Sequence, residues 1–123
     1  MPGLKKTSYG TGDFRWLLHT HGIQDAVTTA MLDVSTFTKA THYPDGFFRS
    51  GTPCNIADPK VVKPFTGAAG EELAFLFGDH PTDGVEDIAG AFLFHGSIRT
   101  AFLPVTFTVP TPAPANFKFT KGA

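Results

Sequence analysis

The stretch Glu72-Leu73-Ala74-Phe75-Leu76-Phe77-Gly78, residues 72–78, decides the fold. A continuous apolar run that ends at a glycine is typical of a strand that is buried on both faces. Residues 88–94 form a second such run, which ends at His95-Gly96. Two buried strands so close in sequence predict a β-rich core.

Three further stretches favour strands around this pair. Residues 24–39 are rich in Thr and Val, which prefer strands, although Ala30-Met31-Leu32 leaves a short helix open. Residues 61–65 predict a short strand at a sheet edge, because Pro64 has no N–H to donate to a ladder. Residues 105–109 alternate Val, Thr, Phe, Thr and Val, which predicts a half-buried strand.

Length and composition indicate one domain with many turns. The chain has 123 residues, and its 13 glycines and 10 prolines argue against long helices. Tyr43-Pro44-Asp45-Gly46 is a turn signature, since proline presets φ and Asp-Gly accepts a tight bend. We therefore predict a mainly β (β-rich α+β) fold: a compact single domain with short helices and extended N- and C-terminal arms.

The two ends differ in character from the middle of the chain. Residues 1–22 are polar and punctuated by glycine, which indicates an N-terminal arm. Residues 111–123 combine a stiff Pro-rich spacer with a strand-like alternation over residues 116–120. The β-rich core domain is then expected to span residues 23–110.

The arms hold the predicted partner-binding residues. A short alternating segment on a stiff spacer can add a strand to the sheet edge of another protein, and aromatic anchors dominate interface energies. The alternative, which the sequence leaves open, is that each segment folds back onto its own core. The predicted residues are Phe14, Trp16, Leu17, Leu18, Phe117 and Phe119.

Charge and cysteine content argue against several classes of protein. The formal net charge is -1, so there is no basic excess for binding nucleic acid. No apolar run approaches ~20 residues and no secretory signal is evident, so we expect no membrane partner and synthesis in the host cytoplasm. Cys54 is the single cysteine and is expected to be a small buried residue.

Catalytic and metal-binding patterns are weak. No Gly-x-Ser-x-Gly motif occurs and the acidic residues stand in loop-like contexts, so we expect no enzyme activity and no cofactor. His19-Thr20-His21 has half of a metal-site pattern but no evident third ligand. The acidic loop over residues 79–87 lacks EF-hand spacing, so we expect it to be exposed and metal-free.

From Gly51 onward, the order of motifs resembles that of the head decoration proteins of tailed bacteriophages, the lambda D-like family. The opening turn is Gly51-Thr52-Pro53-Cys54, and an apolar strand with its glycine follows at residues 73–78. After the acidic loop, a second strand and its turn occupy residues 92–99, and Leu103-Pro104 comes next. The match covers roughly half of the chain.

This resemblance implies a non-enzymatic capsid decoration (cementing) protein. It would bind the outer surface of the phage head as a homotrimer, contact the major capsid protein through residues 1–22, and be found in the virion. The chain departs from the family in its longer segment before Gly51 and its Pro-rich C-terminal end. The alternatives are a phage tail or head-completion component and a small carbohydrate-binding module, although Phe-rich, Trp-poor composition argues against the module.

Overall fold

A computed structural model describes residues 14–18, 27–105, 107–110 and 114–120. It is mostly β and forms one compact domain, which confirms the predicted fold class. No helix in these ranges is long and apolar enough to cross a membrane. In chain order the elements are β1 (Val27–Leu32), α1 (Lys39–His42), β2 (Phe47–Phe48), β3 (Pro53–Asn55), β4 (Lys63–Pro64), β5 (Leu73–Leu76), β6 (His80–Pro81), β7 (Ile88–Leu93), β8 (Gly96–Arg99) and β9 (Phe117–Thr120), with 3-10 turns at Val34–Thr36 and Thr100–Phe102.

The main sheet has five antiparallel strands in the order β1-β7-β5-β3-β4. The sheet curls until its two edges meet. At the meeting point Leu32 of β1 forms a parallel bridge with Val62, just before β4. The N–H of Met31 donates to the Pro59 carbonyl at 2.8 Å, and the N–H of Val62 donates to the Met31 carbonyl at 2.9 Å. These bonds cover part of the free edge of β1, an edge that would otherwise be open to other strands.

Strand alternation places one set of apolar side chains inside the curl. Residues at every second position of a strand share a face, so Ala74 and Leu76 point inward while Leu73 and Phe75 point outward. All four are buried, which confirms that β5 is covered on both faces. The inward group, called the inner core, consists of Ala30, Leu32, Val34, Phe37, Tyr43, Phe48, Cys54, Val62, Ala74, Leu76 and Phe92.

A small second layer covers the outward face of the main sheet. In it β9 pairs in parallel with β8, and Leu17 forms an antiparallel bridge with Ile98 on the other side of β8. Two short strands need an apolar face to pack against in order to be stable, and the main sheet supplies one. The apolar group between the layers, called the outer core, consists of Trp16, Leu17, Leu73, Phe75, Leu93, Ile98 and Phe117.

The remaining strand predictions have mixed outcomes. Strand β4 lies at an edge of the main sheet, as the proline at position 64 indicated. The helix alternative for residues 30–32 is wrong, because they belong to β1. The strand prediction for residues 105–109 is also wrong for the described part of that stretch, which pairs with no strand. Its Phe107 ring instead lies 5.6 Å from that of Phe75, and Pro110 cannot donate to a ladder.

Candidate functional site

The structure brings the predicted partner-binding residues together on the layer around β8. Trp16 is completely buried, and Leu17 and Phe117 are each 7% exposed, all three in the outer core. Leu18 is 39% exposed. Phe14 and Phe119 are partly buried against the same core. In residues 14–18 and 114–120 the chain thus has the folded-back arrangement, and the binding of a partner by these side chains stays a prediction.

The side chain of Trp16 occupies a fitted socket. Its Nε1–H donates to Ser50 Oγ at 3.1 Å, and its ring centroid lies 5.8 Å from that of Phe75. Gly51 lies beneath the ring with φ of +96°, and a Cβ at this position would come within 2.8 Å of the indole. Glycine is needed here both for its positive φ and for the close approach of the ring.

Ser50 joins the socket to the end of strand β5. Its Oγ also accepts a hydrogen bond from the N–H of Gly78 at 3.2 Å, and its own N–H donates to Asp79 Oδ1 at 2.7 Å. The acidic loop was expected to be exposed, but Asp79 is partly buried and has this structural partner. Buried polar groups need such partners because an unmade hydrogen bond is costly.

Backbone hydrogen bonds hold the N-terminal segment against β8. The N–H of Leu18 donates to the Ser97 carbonyl at 3.0 Å, and the N–H of Arg99 donates to the Trp16 carbonyl at 2.7 Å. The Phe14 ring packs 4.9 Å from that of Phe77. Residues 16–18 therefore pair with β8 through a single antiparallel bridge, between Leu17 and Ile98.

The C-terminal strand is held on the opposite edge of β8. The N–H of Gly96 donates to the Asn116 carbonyl at 3.1 Å, and the Asn116 side-chain amide donates to the Phe94 carbonyl. The Phe117 ring meets the Phe75 ring edge-on at 5.2 Å. The predicted strand over residues 116–120 is thus present as β9, paired with the chain's own β8.

The histidines are dispersed through the described part of the chain. No group of three His, Cys, Asp or Glu side chains there is placed to hold a metal ion. His80 lies in β6 with its Nδ1 3.1 Å from the Gly78 carbonyl, whereas His95 is exposed. The pair His19 and His21 lies outside the described residues.

Two groups of the inner core region have perturbed acidity. Burial raises the pKa of the Cys54 thiol, which donates to the Thr52 carbonyl at 3.3 Å, so the prediction of a small buried cysteine is confirmed. Burial lowers the pKa of His42, and the nearby Thr38 carbonyl partly opposes this effect. A neutral imidazole suits its position, because the N–H of Thr38 donates to Nδ1 at 3.0 Å.

Nothing in the sequence pattern predicts the roles of Ser50, Asp79 and Ile98. Ser50 precedes Gly51. The glycine predicts a turn, but it does not predict that the indole of Trp16 packs against this turn. Ile98 is fully buried between the two chain ends, yet its sequence neighbours are Ser97 and Arg99. Only the layered arrangement explains why a mixed polar strand contains a core residue.

The comparisons with known proteins add no relative. No family model matches this chain, and neither a curated protein nor a solved structure matches it. The fold and the site define a two-layered β domain whose outer layer is built from both ends of the described chain.

Proposed function

We propose that this protein is a non-enzymatic capsid decoration protein. It binds the outer surface of a phage head as a homotrimer, contacts the major capsid protein, and stabilises the capsid. The proposal rests on the order of motifs from Gly51 onward, which resembles that of the lambda D-like family.

One observation in the structure carries the proposal further. The segments that supply the resemblance contact the two ends of the described chain: Gly51 lies under the indole of Trp16, and the strand of residues 73–76 supports the indole through Phe75. The third motif segment includes β8, to which both ends are hydrogen-bonded. A protein that binds through its two terminal segments needs residues that hold those segments in place, and the motif residues have this position.

Binding would rest on many weak contacts between decoration subunits and capsid subunits. Each subunit would present its N-terminal arm and its exposed residues near β8, such as Leu18, to neighbouring capsid subunits. Linking several binding segments in a trimer raises the effective concentration of each, so modest individual contacts suffice. No chemical step is required.

Two measurements test the proposal. Analytical ultracentrifugation of the purified chain should give the mass of a trimer. Cryo-electron microscopy should then be carried out on heads assembled with the major capsid protein of the phage that carries this chain. Density at threefold positions is the expected result. A ring at a single vertex would favour a tail or head-completion component, and bare heads at saturating protein would refute decoration.

A further inference from the structure

Both ends of the described chain use the same strand, on opposite edges. On one edge, Ser97 and Arg99 of β8 exchange backbone hydrogen bonds with residues 16–18. On the other edge, Gly96 donates to the Asn116 carbonyl ahead of β9. Strand β8 therefore lies between the segment bridged at Leu17 and strand β9, which come from opposite ends of the described chain.

Two buried side chains are also shared. Ile98 is completely buried and pairs with Leu17 on one edge and with Phe119 on the other. Phe75 contacts the Trp16 ring at 5.8 Å and the Phe117 ring at 5.2 Å. Removal of either end would therefore uncover apolar surface against which the other end packs.

We propose that the two ends dock cooperatively, so that release of one end loosens the other. A two-stranded pair is marginally stable in water, and the segment bridged at Leu17 gives β8 a second neighbour packed on the same apolar group. If residues 14–18 are lost, β9 and β8 remain as a pair without a neighbour on the other edge of β8. If β9 is lost, residues 14–18 have only β8 to pair with. The coupling is a property of the isolated chain and is independent of the proposed function.

The coupling would act as a switch between two states of the outer layer. A partner that captures the N-terminal segment would also free the strand that carries Phe117 and Phe119. Because conformational equilibria respond only to differential binding, such a partner must bind the released ends better than the docked ones.

The test uses full-length variants and amide hydrogen exchange. Phe117→Ala weakens the C-terminal end, and the amides of Leu18 and Arg99 report on the N-terminal end, since both bond across that junction. We expect these amides to exchange roughly tenfold faster, a size usual for coupling between contacting residues. Phe37→Ala is the matched control, because Phe37 is 6% exposed in the inner core and Phe117 is 7% exposed.

The control separates local coupling from general loss of stability. If the outer layer opens only when the whole domain unfolds, exchange at Leu18 and Arg99 will follow the global stability of both variants alike. That result would overturn the proposal. Faster exchange in Phe117→Ala than in Phe37→Ala, at matched global stability set with urea, would support it.

The reciprocal experiment weakens the N-terminal end. Leu17→Ala should speed exchange at the Gly96 amide, which bonds to the C-terminal segment. If Phe117→Ala does not fold, Phe119→Ala replaces it, because Phe119 is only partly buried. Trp16 is the single tryptophan, so a red shift of its emission in Phe119→Ala gives an independent reading. Unchanged emission together with unchanged exchange at Leu18 would refute the coupling.

Discussion

The indole ring of Trp16 lies so close to Gly51 that a single added methyl group would come within 2.8 Å of it. The contact joins residue 16 to the turn before β3, far away in sequence. It fixes where the N-terminal segment enters the outer layer, and it makes the tryptophan a reporter for that layer.

Substitution of Gly51 by alanine should release this segment. The methyl group would meet the indole, and the φ of +96° disfavours any side chain, so we expect a loss of about 3 kcal/mol in unfolding free energy. Gly46→Ala is the control: its φ is +85°, but nothing lies within 4 Å of the added carbon, so about 1 kcal/mol is expected. Urea unfolding followed by fluorescence measures both. Equal losses would show that the indole contact contributes nothing.

Ser50→Ala removes one oxygen atom but should lower the unfolding free energy substantially. It leaves the buried indole N–H of Trp16 and the N–H of Gly78 without an acceptor. We expect a loss of about 2–6 kcal/mol, since two donors are left unsatisfied and each costs about 1–3 kcal/mol. Ser35→Ala, which removes an exposed hydrogen bond to Asp33, should change stability by less than about 0.5 kcal/mol. Thermal unfolding of the two variants compares them, and a small effect at Ser50 would indicate that water replaces the hydroxyl.

Two truncations divide the N-terminal arm by role. Removal of residues 1–13 leaves every contact described above in place and serves as the reference variant. Removal of residues 1–22 also deletes Trp16 and Leu17 from the outer core, and should cost at least about 3–5 kcal/mol, the usual range for loss of one large buried side chain. Denaturant unfolding measures both. Capsid binding should be measured with the chain that lacks residues 1–13. Weaker binding by the chain that lacks residues 1–22 could come either from unfolding or from lost contacts with the capsid.

Acid should open the turn that Glu71 holds. Burial alone raises the pKa of this carboxylate, but hydrogen bonds from the Thr66 hydroxyl and the N–H groups of Thr66 and Gly67 outweigh it and lower the pKa below 4.5. A lowered folded pKa means that the stabilisation is present above about pH 4.5 and is lost as the pH falls through the folded value. NMR shifts of the Thr66 and Gly67 amides should follow this titration. Glu71→Gln should abolish it, and Glu72→Gln should leave it intact.

The strands that the sequence predicted correctly are those whose pattern reflects burial directly. Residues 73–77 are continuously apolar because the main sheet is covered on both faces there, by the inner core and by the outer layer, whereas the strand within residues 88–94 has Ala89 exposed. The stretch over residues 105–109 alternates instead, and its described residues pack without backbone pairing to a strand. Alternation reports which side chains are buried and cannot report whether a neighbouring strand exists.

The sequence predicts which apolar residues belong to the candidate site, but it does not predict which residues they contact. An apolar cluster at Trp16 and Leu17 and another at Phe117 stood out because their surroundings are polar. Whether they would meet a partner or their own domain depended on Ile98 and Phe75, which lie between them. Contacts between residues so distant in sequence leave no local pattern.

The position of β8 between the two ends has a consequence for biosynthesis. The side chain of Arg99 lies 3.5 Å from the carbonyl of Leu18, a contact that spans 81 residues, and the neighbouring strand β9 ends at Thr120. Contacts of such long range slow folding, because the chain must close a large loop before they form. During synthesis the indole of Trp16 can find its socket once β8 has left the ribosome, but its cover remains incomplete until β9 emerges. The outer layer is therefore expected to fold after the main sheet.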